Sequence, residues 1–140
     1  MVLDGIKDPG NLGTLIRTAD WFGISTIICS QDTVNAYNEK VVQASMGSII
    51  RVDIQYRDLN EYLRETKLPV YGTLLNGNNI YNESLIKDAN YILGNEGNGI
   101  RPNTANYITN AITIPGTGGA ESLNVAIAGA IVMSEIFKAN

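Results

Sequence analysis

The sequence contains no histidine among its 140 residues. Histidine is the usual general base near neutral pH and the commonest metal ligand, so Ser-His and Cys-His nucleophile arrangements are excluded. Cysteine occurs once, as Cys29, which excludes an internal disulfide and paired-cysteine metal or redox motifs. A reducing cytoplasm is the simplest location for such a chain. Any chemistry must use other polar side chains or a bound cofactor, and we expect no metal.

Long apolar runs and an excess of positive charge are also lacking. No stretch approaches the roughly 20 apolar residues that span a bilayer, and Met1 to Lys7 lacks the pattern of a secretory signal, so we expect no membrane partner. The net charge is −4, whereas a protein that binds nucleic acid by itself usually carries a net basic face. The charge therefore argues against tight RNA binding by this chain alone, but it leaves room for a local basic patch.

Short apolar runs alternate with helical patterns, which predicts an α/β domain with a mostly parallel sheet and helices on both faces. The length suits one domain over residues 1–140. The predicted strands are Val2–Leu3, Ile24–Cys29, Ile49–Asp53, Val70–Leu74, Tyr91–Leu93 and Ile112–Ile114. The predicted helices are Leu12–Phe22, Glu39–Met46, Leu59–Thr66 and Ser122–Lys138, with a shorter one at Pro102–Ala105.

The first segment with chemical interest runs from Asp8 to Asp20. A Pro-Gly turn precedes Asn11, which we predict to be the N-cap of an amphipathic helix. Arg17 points away from the apolar face of that helix. Taken alone, the segment is typical of a capped surface helix with a solvated arginine. The alternative is that Asn11 and Arg17 form a polar pair for a phosphate or a ribose, a role that suits the donors of a guanidinium group.

The second segment, Tyr91 to Ile100, is an apolar strand followed directly by a glycine-rich loop. Ligands in open α/β sheets bind beyond the carboxyl ends of strands, where glycines let a ligand approach the backbone. The order of the glycines is GxxGxG, which differs from the GxGxxG dinucleotide fingerprint, so a nicotinamide cofactor is disfavoured. Glu96 is the one charge in the loop, either as a surface turn residue or as a carboxylate that holds a cationic partner.

The third segment, Ile112 to Phe137, combines a strand, a second glycine-rich loop and a long helix. We predict Ser122 as the N-cap, and we expect a buried helix because apolar residues lie on nearly all its sides. Ser122 and Asn124 are polar groups at the head of this helix and need partners. The loop lacks the GKS or GKT of a P-loop, which excludes that class of nucleotide-binding site.

Together, in this order and at this separation, the three segments resemble the three motifs of SpoU-type methyltransferases, a branch of the SPOUT superfamily, from Leu3 to about Phe137. The resemblance implies a C-terminal deep trefoil knot, a homodimer, and S-adenosylmethionine-dependent methylation of a ribose 2′-hydroxyl of rRNA or tRNA. Many members carry an additional RNA-recognising domain at the N-terminus. We therefore expect the chain to be the catalytic domain without that domain.

The motif positions also imply site residues. The implied catalytic set is Asn11, Arg17, Glu96, Ser122 and Asn124, and the implied cofactor-binding set is Thr73, Leu74, Gly94, Ile114, Leu123 and Asn124. Arg17 would clamp a phosphate and the hydroxyl, and whether it also acts as a base stays open because its free pKa exceeds about 12. Two alternatives remain, a non-catalytic RNA- or cofactor-binding module on the same fold, and methylation of a base rather than a ribose.

Overall fold

A computed structural model describes residues 1–138 of the chain. Its strands are β1 (Val2–Leu3), β2 (Thr26–Ser30), β3 (Asp53–Arg57), β4 (Val70–Asn79), β5 (Asn90–Leu93) and β6 (Asn110–Thr113). Its α-helices are α1 (Pro9–Trp21), α2 (Glu39–Ser45), α3 (Leu59–Glu65), α4 (Pro102–Ala105) and α5 (Val125–Lys138). Two short 3-10 helices lie at Ser48–Ile50 and Ile80–Asn82. In this part of the chain, no helix is both long enough and apolar enough to cross a membrane.

The strands form one sheet in the order β3-β2-β1-β5-β4-β6, and every neighbouring pair is parallel. The chain places β2 and β3 on one side of β1, and it then places β4, β5 and β6 on the other side. The point where this direction changes lies between β1 and β5, and ligands bind at such points in open α/β sheets. The predicted parallel α/β sheet is confirmed.

Helices cover both faces of the sheet, as predicted. Alternate residues of β1 and β2 point to opposite faces, so that Leu3 packs in a core with residues of α1, α2 and α5, whereas Val2 packs with residues of α3. The contact between α1 and α5 requires a glycine, because a Cβ atom at Gly129 would lie 2.3 Å from Leu15 Cδ2. This packing holds the beginning of α5 beside the beginning of α1.

Strand β4 has an irregular pairing with β6. Thr73 and Asn78 both pair with Ile112, so the four residues between them are looped out of the ladder. Gly77 lies in this loop, and a Cβ atom there would lie 2.7 Å from the backbone carbon of Ile112. The chain therefore crosses close to β6 just beyond the carboxyl end of the regular part of β4. The trefoil knot implied by the resemblance stays a prediction.

The predicted strand at Ile49–Asp53 is wrong. This apolar run belongs to the 3-10 helix Ser48–Ile50, and β3 starts only at Asp53, which pairs with Thr26. The reason is the turn before it, where Met46 and Gly47 have φ values of 50° and 84°. After this turn the backbone nitrogens of Arg51 and Val52 both donate to the Ser48 carbonyl oxygen, at 2.9 and 3.2 Å, so the chain stays coiled until β3 begins.

The interpretation of the last helix needs two corrections. The helix begins at Val125, so Ser122 is not its N-cap. It is also not buried on all sides, because the Ile127 residue is 53% exposed to solvent whereas Ile136 is buried. Apolar periodicity cannot distinguish a helix enclosed by its own chain from one that keeps an apolar face at the surface.

Candidate active site

The carboxyl ends of three adjacent strands bring together four of the predicted cofactor-binding residues. Thr73 and Leu74 lie in β4, Gly94 directly follows β5, and Ile114 directly follows β6. Since β4 pairs with both β5 and β6, these positions share one edge of the sheet, and all four are partly buried. The geometry therefore provides one continuous surface at this edge.

Gly94 allows the loop after β5 to fold back on itself. A Cβ atom at this position would lie 2.2 Å from the carbonyl carbon of Gly99 and from the backbone nitrogen of Ile100. Asn95 and Gly99 exchange backbone hydrogen bonds of 2.9 and 3.0 Å, which close the loop. The Asn95 side chain accepts from the backbone nitrogens of Gly97 and Asn98 at 2.9 and 3.1 Å. The loop is therefore preformed, and glycine at position 94 is required by backbone packing.

Thr73 carries an unpaired buried hydroxyl at this edge. Its Oγ1 is inaccessible to solvent and has no hydrogen-bond partner among residues 1–138. A buried hydroxyl without a partner costs about 1–3 kcal/mol, so native proteins rarely keep one without a reason. The unpaired hydroxyl lies in β4, at the carboxyl end of the part that pairs with β5 and β6.

The Glu96 carboxylate lies at the point where the sheet changes direction. It accepts hydrogen bonds from the backbone nitrogens of Lys7 at 3.2 Å and Asp8 at 3.1 Å, and from Asn11 Nδ2 at 3.4 Å. These donors precede or begin α1, whose N-terminal backbone favours a negative charge. Glu96 therefore joins the glycine-rich loop to the start of α1, and it is not a free surface residue of a turn.

Asn11 is not the N-cap of α1, contrary to the prediction. Asp8 caps the helix instead, with its side chain accepting from the backbone nitrogen of Asn11 at 2.8 Å. The helix can start earlier because Pro9 is favourable in its first turn. Because Asn11 does not cap the helix, its side-chain amide is available to contact both of the other motifs.

Asn11 links the first motif to the third as well as to the second. Its Oδ1 accepts a hydrogen bond of 2.9 Å from Asn124 Nδ2. Asn124 Oδ1 in turn accepts from the backbone nitrogens of Ala126 and Ile127 at 2.8 and 3.2 Å, which makes Asn124 the residue that caps α5. We call Glu96, Asn11 and Asn124, with these bonds, the edge network. It unites one polar residue from each of the three motifs.

Three predicted site residues lie neither in the edge network nor among the four positions at the ends of β4, β5 and β6. Ser122 and Leu123 are exposed in the second glycine-rich loop, where every residue from 115 to 124 is exposed. Arg17 is exposed on α1 and makes no hydrogen bond or ion pair with the residues that the structure describes. The fold thus presents Arg17 and Ser122 to solvent and does not tie them to the other motif residues.

A cluster of charges at the same edge was not predicted. Asp4 is fully buried at the end of β1 and accepts from the backbone nitrogen and Nε of Arg101 at 2.9 and 2.7 Å. The guanidinium group also pairs with Asp32 at 3.0 Å, and Asp32 pairs with Lys7 Nζ at 3.0 Å. The one feature of the sequence that could have indicated this cluster is Asp4, an acidic residue directly after a buried strand. The cluster ties together the loops after β1, β2 and β5.

These contacts shift the titration of the charged groups. Partial burial raises the pKa of Asp32, but hydrogen bonds from Ser30, Lys7 and Arg101 outweigh it and hold that pKa well below its usual range. The hydrogen bond to Asp4 raises the pKa of Arg101. Both groups therefore stay charged at neutral pH, and the cluster is held by ion pairs under ordinary conditions.

The fold and the site define a parallel α/β domain with two glycine-rich loops around one hydrogen-bonded network at the carboxyl edge of its sheet, which is where open α/β sheets bind ligands. The chain belongs to the SpoU rRNA methylase family, whose sequence profile matches residues 1–134.

Relatives extend the comparison. The 23S rRNA (guanosine(2553)-2′-O)-methyltransferase RlmP of Bacillus subtilis is 36% identical over 137 residues, which cover 95% of this chain and 55% of that protein. The 23S rRNA (guanosine-2′-O-)-methyltransferase RlmB of Neisseria meningitidis is 35% identical, with 96% and 56% covered. An rRNA methyltransferase from Sinorhizobium meliloti with bound AdoMet is 34% identical with a TM-score of 0.91, covering 98% of this chain and 54% of that one. The chain thus spans about half the length of these relatives.

Proposed function

We propose that this chain is the catalytic domain of an RNA methyltransferase that transfers a methyl group from S-adenosylmethionine to a ribose 2′-hydroxyl, with rRNA as the favoured substrate. The observation that carries the proposal is the edge network, in which polar residues of all three motifs meet through hydrogen bonds of 2.9 to 3.4 Å. The names of the Bacillus and Neisseria relatives, both 2′-O-methyltransferases of 23S rRNA, support ribose over base methylation.

The residues at the ends of β4, β5 and β6 fit S-adenosylmethionine. The buried hydroxyl of Thr73 lacks a partner, and the folded-back loop at Gly94 leaves its backbone close to the sheet edge. Bound S-adenosylmethionine would supply an activated methyl group on a sulfonium centre. Leu74, Ile114, Leu123 and Asn124 would complete its binding surface, with Leu123 in the exposed loop moving onto the ligand.

The remaining motif residues would handle the substrate. Arg17 has no partner among the described residues, so its donors are available for a phosphate and for the 2′-hydroxyl. Asn11 and Asn124 would orient the ribose, since their amides face each other at 2.9 Å. Glu96 would hold Asn11 in that orientation, and Ser122 would contact the substrate from the exposed loop. We assign no metal to this mechanism.

A homodimer is part of the proposal. Several large apolar side chains lie exposed on α5 and near the loop of β4, namely Ile127, Leu75 and Tyr81. Ile127 and Tyr81 line one groove together with Ile131. An exposed apolar surface of this kind is typical of a protein interface. The proposal includes the C-terminal trefoil knot that the family resemblance implies.

Full activity would need more than this domain. The net charge of −4 disfavours strong binding of RNA by the chain alone, and the relatives named above are nearly twice as long as the matched region. We therefore propose that the catalytic domain works with an RNA-recognising domain in the cytoplasm. A non-catalytic module on this fold is the alternative, and the intact edge network argues against it.

Calorimetric titration with S-adenosylmethionine, followed by an assay of methyl transfer to 23S rRNA, tests the proposal. We expect binding with a stoichiometry of one per chain and transfer to a ribose. Binding without transfer, when an RNA-recognising domain is present, would favour the non-catalytic module. Absence of binding would contradict the proposal.

A further inference from the structure

The only tryptophan of the sequence is almost fully exposed. Trp21 is the last residue of α1, and 83% of it is accessible to solvent. It follows Arg17 by four residues, so the two side chains lie on the same side of the helix, about 5–6 Å apart at Cβ. Tryptophan side chains are large and mostly apolar, so proteins usually bury most of their surface. Its exposure beside an arginine without a partner among the described residues needs an explanation.

Neighbouring elements extend this exposed area. Met46 is 68% exposed at the end of α2, and Ile50 is 83% exposed in the following 3-10 helix. Met46 is the only non-glycine residue with a positive φ among residues 1–138, at 50°. A left-handed residue is a common way for a helix to end, so this conformation fixes the position of Met46 at the end of α2. We call Arg17, Trp21, Met46, Ile50 and Arg51 the Trp21 surface.

Ion pairing fixes the elements of the Trp21 surface relative to one another. Asp20 Oδ2 accepts hydrogen bonds from Arg51 Nε and Nη2 at 2.9 and 2.7 Å and from Ser48 Oγ at 2.7 Å. The hydrogen bond from Arg51 lowers the pKa of Asp20, so this carboxylate stays ionised and fully paired. The 3-10 helix is thereby held against α1, and the exposed side chains keep a defined arrangement.

The charge of this surface is opposite to that of the whole chain. Helices α1 and α2 and the residues up to Arg51 contain three cations, Arg17, Lys40 and Arg51, and two carboxylates, Asp20, which is paired with Arg51, and Glu39 at the start of α2, which leaves a net charge of +1. The chain as a whole carries a charge of −4. A locally cationic surface with an exposed aromatic ring is the arrangement that binds single-stranded nucleic acid, by phosphate contacts and by stacking of bases.

We propose that the Trp21 surface binds unpaired nucleotides of the substrate RNA, with a base stacked on the Trp21 ring and an adjacent phosphate on Arg17. The inference rests on the proposed function and names the surface by which this domain contacts RNA. A second copy of the chain is a less suitable occupant. Pairing of two copies through the Trp21 surface would bring together two surfaces that both carry a net positive charge, which disfavours association.

Fluorescence tests the inference directly, because Trp21 is the only tryptophan and therefore the main source of emission on excitation at long wavelength. The chain is titrated at low ionic strength with a single-stranded 12-mer oligoribonucleotide of mixed sequence, and in parallel with inorganic polyphosphate. We expect the oligonucleotide to quench the emission by stacking. Polyphosphate should bind without comparable quenching, since it carries charge but no bases. Equal quenching by both, or by neither, would overturn the inference.

Two substitutions separate stacking from general apolar contact. Trp21→Phe keeps an aromatic ring and should bind the oligonucleotide within about threefold of the wild type. Trp21→Leu keeps an apolar side chain but has no ring, and should weaken binding by about 5- to 150-fold. Equal affinities of the two variants would overturn the inference.

Two further measurements keep this test separate from the proposed function. Both Trp21 variants should bind S-adenosylmethionine as the wild type does, and loss of S-adenosylmethionine binding by the wild type itself would contradict the proposed function instead. Acrylamide should quench Trp21 readily in the free protein. A tryptophan shielded from acrylamide before RNA is added would show that a second copy covers the surface, which would overturn the inference.

Discussion

Asn11 and Asn124 are 113 residues apart in the sequence, and their side-chain amides are joined by a hydrogen bond of 2.9 Å. Asn124 uses its other amide atom to cap α5, and Asn11 uses its other amide atom to reach Glu96. In each side chain, the amide nitrogen and the amide oxygen therefore form hydrogen bonds with different partners. This arrangement fixes the orientation of both side chains and makes them sensitive to substitutions that preserve size but change hydrogen-bonding chemistry.

Asn124→Asp should keep most of the stability of the chain and abolish most of its activity. Aspartate caps helices as well as asparagine does, so only the bond to Asn11 is lost and the free energy of unfolding should fall by about 1 kcal/mol or less. An ionised carboxylate cannot donate to Asn11 Oδ1 and would repel it, so methyl transfer should fall by about 100-fold through loss of positioning. Urea unfolding and single-turnover methyl transfer measure the two effects.

Asn38→Asp is the matched control. Asn38 caps α2 by accepting from the backbone nitrogen of Lys40 at 2.9 Å, and it has no bond to the edge network. This substitution should leave both stability and activity nearly unchanged. If Asn124→Asp retained wild-type activity, the bond between Asn11 and Asn124 would have no role in catalysis.

Thr73→Val should weaken the binding of S-adenosylmethionine without destabilising the free protein. Valine removes a hydroxyl that has no partner within residues 1–138, so the stability of the free chain should stay equal or rise slightly. A hydrogen bond lost to the ligand corresponds to about a 2- to 13-fold increase in Kd by calorimetry. Thr73→Ser keeps the hydroxyl and should bind within about twofold of the wild type. Equal affinities for valine and serine would show that the hydroxyl does not contact the ligand.

Removing Arg101 should destabilise the fold more than removing Asp4. Arg101→Ala leaves a fully buried carboxylate without its cationic partner, at a cost of about 3 kcal/mol, the low end for such pairs because Arg101 is half exposed. Asp4→Asn leaves Arg101 paired with Asp32 and partly solvated, so it should cost less. Adding Asp4→Asn to Arg101→Ala should recover part of the loss. A double variant that is as unstable as the sum of both single variants would contradict a direct pair.

Stability should fall with acid below about pH 4. The pKa values of Asp20 and Asp32 are lowered in the folded protein, whereas an unfolded aspartate titrates near 3.9. A lowered folded pKa contributes stability that is complete above the unfolded value and is lost as the pH falls below it. Urea unfolding at pH 7, 5, 4 and 3 should show this decline. Asp32→Asn should make it shallower, and an unchanged decline in that variant would exclude Asp32 as a contributor.

Much of the fold was predictable because its signals are local. The strands around Val2–Leu3 and Tyr91–Leu93 are apolar runs bounded by turn residues, and the structure keeps both almost unchanged. The strand predicted at Ile49–Asp53 failed because the same apolar residues fill a turn. That turn depends on the backbone conformation of Met46, a residue with no sequence signal for a positive φ.

The sequence predicted a set of site residues, which stays a prediction, and it could not predict how those residues contact one another. The motifs pointed to Asn11, Glu96 and Asn124, and the structure joins them. The assignment of the N-caps failed at both helices because neighbouring Asp8 and Asn124 compete for the same role as the residues we selected. The pair of Asp4 with Arg101 joins residues 97 apart, which composition and periodicity cannot connect.

The most direct measurement of the central claim is mass spectrometry of nucleosides from RNA of a gene-deleted strain. The RNA is incubated with S-adenosylmethionine and the full-length protein, wild type or Arg17→Ala. We expect the wild type to restore a single 2′-O-methylnucleoside. The Arg17→Ala variant should bind S-adenosylmethionine normally and methylate at least tenfold more slowly, a loss of roughly 1.4 kcal/mol or more in transition-state stabilisation. A base-methylated nucleoside, or undiminished activity of the Arg17→Ala variant, would contradict the account.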